Sequence, residues 1–576
     1  MMDAPARTAV PASAGDAGLR PGDIEIVWRR LISFMDEAMT TMIRTAYSTT
    51  IRESRDLTVV LFDPRGRAIA ECTSANASFI GTLPRSMQAF LKAHPAGEWR
   101  AGDCVITNDP WIGAGHLQDI TMASPVFLGS DLFGFALIAA HGPDIGGGLY
   151  SALSREVFEE GLRIPICHYA RAGVRDPLVR DFIVSNVRVP EKVIGDLEGM
   201  AACVEKAGRQ VRDLAQSMTP ARYLACADEI VRRSEAAMRA AIREIPNGVY
   251  RSELTTSGLE EPLRIACTVT VADDAIGVDY SGTTGAQRFG INVPLCYTYA
   301  HTVYPLKCIL APEIPNNHGA LTPLAVSAPE GCVLNPVFPA PVSARHLTGQ
   351  FLSAAVFLAL AECIPDRIMA ESGVTRPQLV FSGKTREGER FVEHIFMVSG
   401  LGARSVADGP NALCFPANTT CTPIEIIEAL TTLRIECKEL VPDSGGTGQW
   451  RGGCGQRMAV RNASGEPIQL SVLAELTHRG ARGLFGGSEG RPAVITLDGK
   501  TIPDKALIDF PPQSVLVVES AGGGGFGAAD RRDAAAADCD LREGYVSTRA
   551  VRCGTTHSGA VSPVSPRPAG WPSDAP

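Results

Sequence analysis

A chain of 576 residues is too long for a single core and should divide into about two to four domains. Hydrophobic residues at 45% and charged residues at 20% are the balance of a folded soluble protein, and a net charge of −9 offers nucleic acid no basic face. The 16 cysteines contain no Cys-x-x-Cys pair and give no zinc-ribbon spacing, so they read as thiols of a reducing compartment.

Residues 1–21 are rich in Ala, Pro and Gly without the apolar centre of a signal peptide, and are expected to be a disordered leader. The longest apolar stretch, Phe351–Leu360, is too short to span a bilayer, so no membrane is expected and the location defaults to the cytoplasm. Asp23 can cap a helix running to about Ala46, with Val27, Leu31, Phe34, Met35, Ala38, Met39 and Met42 on one face. Methionine is a common core filler, so this stripe is expected to pack inside rather than form a partner groove. Leu57–Phe62, a turn at 63–66 and a return over 67–71 read as a hairpin, with Asp56 at the strand edge, where an acid is usually a solvated cap.

Residues 82–94 should be a helix and 105–107 a strand entering the turn Asn108-Asp109-Pro110. A loop over 111–115 then delivers His116 and Asp119, and an apolar strand over 133–140 ends at His141. Residues 182–232 read as mostly helical with a break near Pro220, and 247–279 alternate as strands do. Helices are expected over 297–310, 349–363 and 424–432, followed by a strand-rich, glycine-rich part. The whole is α+β and multidomain, with mixed sheets, packed helices and glycine-rich loops around a metal site. Its divisions are a leader 1–21, a metal-site domain 22–245, a central α/β region 246–422, a strand-rich region 423–550 and a disordered tail 551–576.

The chemistry concentrates in residues 102–147, where two of only ten histidines stand among carboxylates. His116-x-x-Asp119 with His141 from the next strand end is an imidazole–carboxylate set suited to zinc, manganese or iron, and Asp56 could complete four ligands. Two structural histidines in a loop-rich region are the plain alternative. Glycine-rich loops at 281–285 and 444–448 could form anion nests, though tight turns are the commoner use. Gly499-Lys-Thr lacks the upstream glycine of a phosphate loop, so any ATP must be used by a partner. Arg345-His346 could bind an acidic group or move a proton.

Taken together and in order, the motifs resemble the B subunits of ATP-dependent hydantoinases, with the related oxoprolinases, lactamases and α subunits of ketone carboxylases. The landmarks are Arg52-Glu-Ser-Arg-Asp-Leu-Thr, Gly115-His-Leu-x-Asp-Ile, Ala140-His followed by Asp144-Ile-Gly-Gly, Glu160-Gly-Leu-Arg-Ile-Pro, Gly195-Asp-Leu, Arg345-His-x-Thr, Asp443-Ser-Gly-Gly with Trp450-Arg-Gly-Gly, and Gly522-Gly-Gly-Gly-Phe-Gly. The resemblance implies a metal subunit with ligands Asp56, His116, Asp119 and His141, manganese, zinc or iron as the metal, and a separate A-type subunit that uses ATP to phosphorylate the substrate. Asp109 or Asp144 would orient a ligand or water from behind. It implies hydrolysis of a small cyclic amide in a hetero-oligomer. Carboxylation of a ketone is the alternative, and a metal-free scaffold for the A subunit is the third possibility. Two positions depart from the family pattern: Gly142 replaces a second histidine, and Phe79 replaces the histidine of a His-Leu-Gly segment.

Overall fold

The computed structural model describes residues 20–548 other than Thr375; most of the expected leader and all of the expected 551–576 tail lie outside the described residues. The first sheet is antiparallel with seven strands in the order Ala68–Glu71, Leu57–Phe62, Asp131–His141, Asp119–Leu128, Cys104–Thr107, Cys167–Arg171, Val174–Arg175. Alternation along Asp131–His141 separates two apolar layers. Phe133, Ala136, Ile138 and Ala140 face one core, and Phe135, Leu137 and Ala139 face another. A strand covered on both sides needs no polar face, so it reads as an apolar run.

Helix Pro21–Thr45 covers one face together with Pro190–Met218 and Pro220–Ile242. Its Val27, Leu31, Met35, Ala38, Met39 and Met42 are buried, as a core stripe should be. Asp23 lies inside the helix rather than at its cap, and its carboxylate accepts the Arg20 amide at 3.3 Å. The long helical stretch breaks at Thr219, one residue ahead of Pro220. Helix Thr82–Ala93 covers the opposite face of the sheet through Leu83, Met87 and Phe90.

A second sheet, ordered Leu324–Ser327, Ala275–Asp279, Leu263–Ala272, Gly248–Thr256, packs on the buried helix Phe351–Leu360. The apolar core runs on from the first sheet into this region, so the change at about residue 246 is one of secondary structure within a shared core. Two further sheets face each other around Phe381, Ile395, Val460, Leu470, Leu516 and Val518. One contains Arg390–Phe396, Gln378–Lys384, Ile468–Leu473 and Lys505–Phe510; the other contains Leu433–Leu440, Gln456–Asn462, Val515–Glu519, Val494–Leu497 and Lys500–Thr501.

Beside this sandwich the glycine-rich segments cross backbone against backbone. The Gly453 amide donates to Leu401 O (2.7 Å), Gly523 to Gly453 O (2.9 Å) and Gly446 to Gly523 O (2.8 Å). A Cβ on Gly453 would lie 1.9 Å from the Pro410 carbonyl oxygen, so this layer admits no side chain there. Within 444–448, Thr447 N also donates inside the fold, to Ser488 Oγ (2.8 Å). In the 281–285 loop, Thr283 and Thr284 donate to backbone carbonyls of Tyr280 and Arg264.

Candidate metal centre

Three adjacent strands of the first sheet bring their ends together. Asp119 stands directly opposite His141, and the next residue over, Asp56, accepts the His141 amide on its backbone carbonyl at 3.0 Å. Register alone thus aligns Asp119, His141 and Asp56 in a row. His116 reaches the same end from the loop after Asn108. That loop is pinned by Asn108, whose amide nitrogen donates to Leu117 O (2.7 Å) and whose oxygen accepts Ile164 N (2.6 Å). Gly115, at φ +93°, lets the chain pass over Arg345; a Cβ there would lie 2.7 Å from Arg345 Cδ.

His116, Asp119 and His141 are all buried, and one potential ligand atom from each falls within 4.8 Å of the others. His116 Nδ1 lies 3.0 Å from the Ser343 carbonyl, an acceptor only, so Nδ1 carries the proton and Nε2 a lone pair. Burial pushes the ring down to about 4, which keeps it neutral. That Nε2 has no hydrogen-bond partner, yet it lies 2.9 Å from Asp119 Oδ1. A lone pair facing a carboxylate oxygen inside a protein is repulsive unless a cation stands between them. His141 Nδ1 lies 3.0 Å from the same oxygen, and its Nε2 is also buried without a partner. The donor set of two imidazoles and a carboxylate therefore fits zinc, manganese or iron.

Burial alone would raise the Asp119 carboxyl, but the Arg345 guanidinium and the His141 ring against it hold the acid well below the usual carboxylate range. Arg345 Nη2 donates to Asp119 Oδ2 at 2.5 Å, Nε to Ala114 O at 2.6 Å, and the guanidinium rests 4.0 Å from the Tyr297 ring centroid. His346 Nδ1 is 3.0 Å from the Tyr150 hydroxyl while its Nε2 is unpartnered; burial, with Arg345 and Arg376 beside it, drives the ring well below its usual value.

A cavity opens over these residues, with about 310 Å³ of free space counted together with the solvent at its mouth. Asp56 lines it but lies outside the close triad, with its Oδ1 taken by the Asn76 amide group. Asp109 and Asp144 do not line it. Asp109 accepts Trp111 N (3.0 Å) and Arg163 (2.6 Å), and Asp144 accepts Gly146 N (3.2 Å) and Arg188 Nη1 (2.7 Å). Each acid braces one of the loops beside the ligands. Tyr150, Tyr297, Gln350, Arg376 and Gln378 also line the cavity, and no local sequence pattern marks any of them. His301 packs on Tyr297 at 4.2 Å and His394 lies 5.3 Å from His141. Half of the ten histidines therefore gather here, three of them from segments far outside 102–147.

Behind His116 stands Glu160. Its Oε1 accepts the amides of Val342 (2.6 Å) and Ser343 (2.9 Å), which aims the Ser343 carbonyl at the imidazole. Burial pushes this carboxyl up from 4.5 to about 8, despite the two amide donors. The native state thus keeps a proton that the unfolded chain releases above pH 4.5. Its stability contribution is complete below that pH and is lost as pH rises to about 8, at up to about 1.4 kcal/mol per pH unit. Glu160→Gln should flatten that slope in denaturant titrations across the window; a slope equal to that of wild type would refute the assignment.

A model of the family described as Hydantoinase B/oxoprolinase matches residues 20–529. The chain belongs to this family. Over 560 residues it is 30% identical to the B-type subunit of a putative D-/L-hydantoinase from Pseudomonas sp. strain NS671, covering 92% of this chain and 93% of that one. The crystal structure of an ATP-dependent caprolactamase from Pseudomonas jessenii matches with TM-score 0.87 at 25% identity, over 93% of this chain and 96% of that chain. A nucleotide-free acetone carboxylase structure shares the fold with TM-score 0.83 at 19% identity, over 93% of this chain and 79% of that chain. Of the two departures from the family pattern, Phe79 packs among Leu83, Met87 and Phe90 and does not line the cavity; its neighbour Ser78 does. Gly142 follows His141 and donates to Gln118 O at 2.8 Å.

Proposed function

We propose that this chain is the metal-bearing subunit of an ATP-dependent cyclic amidase, which opens a small cyclic amide together with an A-type subunit that uses ATP. The carrying observation is the His116–Asp119–His141 group, with its unpartnered imidazole nitrogens, at the floor of a polar cavity. The family supports the reaction class, and the similarity to a B-type hydantoinase subunit and to an ATP-dependent caprolactamase supports a partner subunit.

In this reading Asp56 is the fourth candidate ligand, from the strand end beside His141. A divalent ion held there would polarise the scissile carbonyl or lower the pKa of a bound water. The protein's own groups do the rest. Arg345 keeps Asp119 ionised and fixed, and the Ser343 carbonyl holds His116 in the tautomer whose Nε2 faces inward. His346, neutral and tethered to Tyr150, offers Nε2 for one hydrogen bond to substrate or one proton transfer. Asp109 and Asp144 act by holding the loops that carry His116 and follow His141.

The test is His116→Ala in the complex with the A subunit. Metal per chain should fall at least tenfold and ATP-dependent ring opening at least about 10³-fold, since removing one of three protein ligands undoes the site. Full metal content with unchanged activity would leave only a scaffold. ATP-dependent fixation of labelled bicarbonate onto a ketone, without ring opening, would move the chain to the carboxylase reaction.

A further inference from the structure

Two arginines line the cavity, and they are not equivalent. Arg345 is spent on Asp119 and the Ala114 carbonyl. Arg376 is just as deeply buried, at 5% exposed, but no described carboxylate forms an ion pair with it. Its Nη1 donates to the Cys414 thiol at 2.7 Å, its plane rests 4.6 Å from the Phe396 ring centroid, and its Nε has no partner. The thiol and the aromatic ring hold the guanidinium in place without neutralising it. A buried, unpaired guanidinium is expensive to keep, and Arg presents a rigid planar fork suited to oxyanions.

The charges around it point the same way. Asp56 and Asp119 match Arg345 and Arg376, so a divalent ion at the triad leaves the cavity with two uncompensated positive charges. A cavity with that charge excess takes a small anion rather than a neutral ring alone.

We propose that Arg376 is the receptor for an anionic oxygen group of the substrate, a phosphoryl or a carboxylate, held opposite the metal triad. The assignment rests on the cavity being the active site. It adds a specificity residue: Arg376 makes charge-assisted hydrogen bonds to the anion, and Cys414 sets the angle of the guanidinium.

The full-length, metal-loaded protein should be titrated calorimetrically with inorganic phosphate and, separately, with acetate, as wild type, Arg376→Met and Arg376→Lys, then again after chelation of the metal. Wild type should bind at least one of the two ions saturably. Arg376→Met should weaken that binding at least tenfold and Arg376→Lys several-fold, before and after chelation, with metal per chain unchanged. Preference for phosphate identifies a phosphoryl group, and equal or better binding of acetate identifies a carboxylate. Should Arg376→Met fail to fold, the Lys variant decides, because it keeps the charge and loses the fork. Equal affinity in wild type and the folded variants, or no saturable binding of either ion to wild type, overturns the proposal. A protein that holds metal and binds phosphate through Arg376 but opens no ring overturns the amidase reading and leaves this one standing.

Discussion

Asp119→Ala should lower unfolding free energy by about 3 kcal/mol or more and leave the chain unable to retain a divalent ion. Both effects come from one carboxylate and its neighbours. Among the described residues its Oδ2 is the one acid oxygen paired with Arg345, which is 4% exposed, so truncation strands a buried guanidinium with the Ala114 carbonyl and the face of Tyr297. Its Oδ1 is the oxygen that His116 and His141 share, so truncation also leaves the two imidazoles without the anion of the candidate cation site. Asp119→Asn separates the two effects. It keeps an oxygen for Arg345 and should recover part of the stability, while metal retention stays low because the charge is gone. Denaturant midpoints and elemental analysis of the three proteins check this. A midpoint for Asp119→Ala within experimental error of wild type would show that Arg345 does not depend on Asp119.

Gly453→Ala is expected to be severely damaging, costing more than about 4 kcal/mol or preventing accumulation of folded protein. The added carbon would lie 1.9 Å from Pro410 O, 2.7 Å from Pro410 C and 2.8 Å from Leu401 N. All three are backbone atoms in a hydrogen-bonded layer, so no rotamer change relieves the clash. Gly277→Ala is the control: nothing lies within 4 Å of its Cβ position, and a strand position with open space should tolerate or gain slightly from alanine. Soluble yield and unfolding midpoint of the pair test the claim, which fails if the two variants behave alike.

Much of the local structure was legible in the chain. The hairpin strand Leu57–Phe62, the helix at Thr82–Ala93, the helix break before Pro220 and the buried helix Phe351–Leu360 all follow from periodicity, turn residues and proline. The strand Asp119–Leu128 did not. It carries Pro125 and is buried on most of both faces, so it shows no alternation, and no strand is read between the loop at 111–115 and the apolar strand at 133–140. The paired strands Gln378–Lys384 and Arg390–Phe396 were missed too, and with them the segment that places Arg376 and His394 beside the site.

The site divides along the same line. His116, Asp119 and His141 are close in sequence and of ligand type, so composition and spacing alone marked them, and the ordered landmarks added Asp56. The chain by itself thus determined the family, the α+β class and a candidate ligand set, because these depend on residue identity over short separations. Which acids serve the cavity was decided only by tertiary structure. Strand register put Asp119 opposite His141, arginines on other loops drew Asp109 and Asp144 away, and distant segments of the chain supplied Arg345, His346 and Arg376. Those pairings form only when separate elements pack and low-dielectric burial forces each charge to find a partner, and no local pattern records that choice.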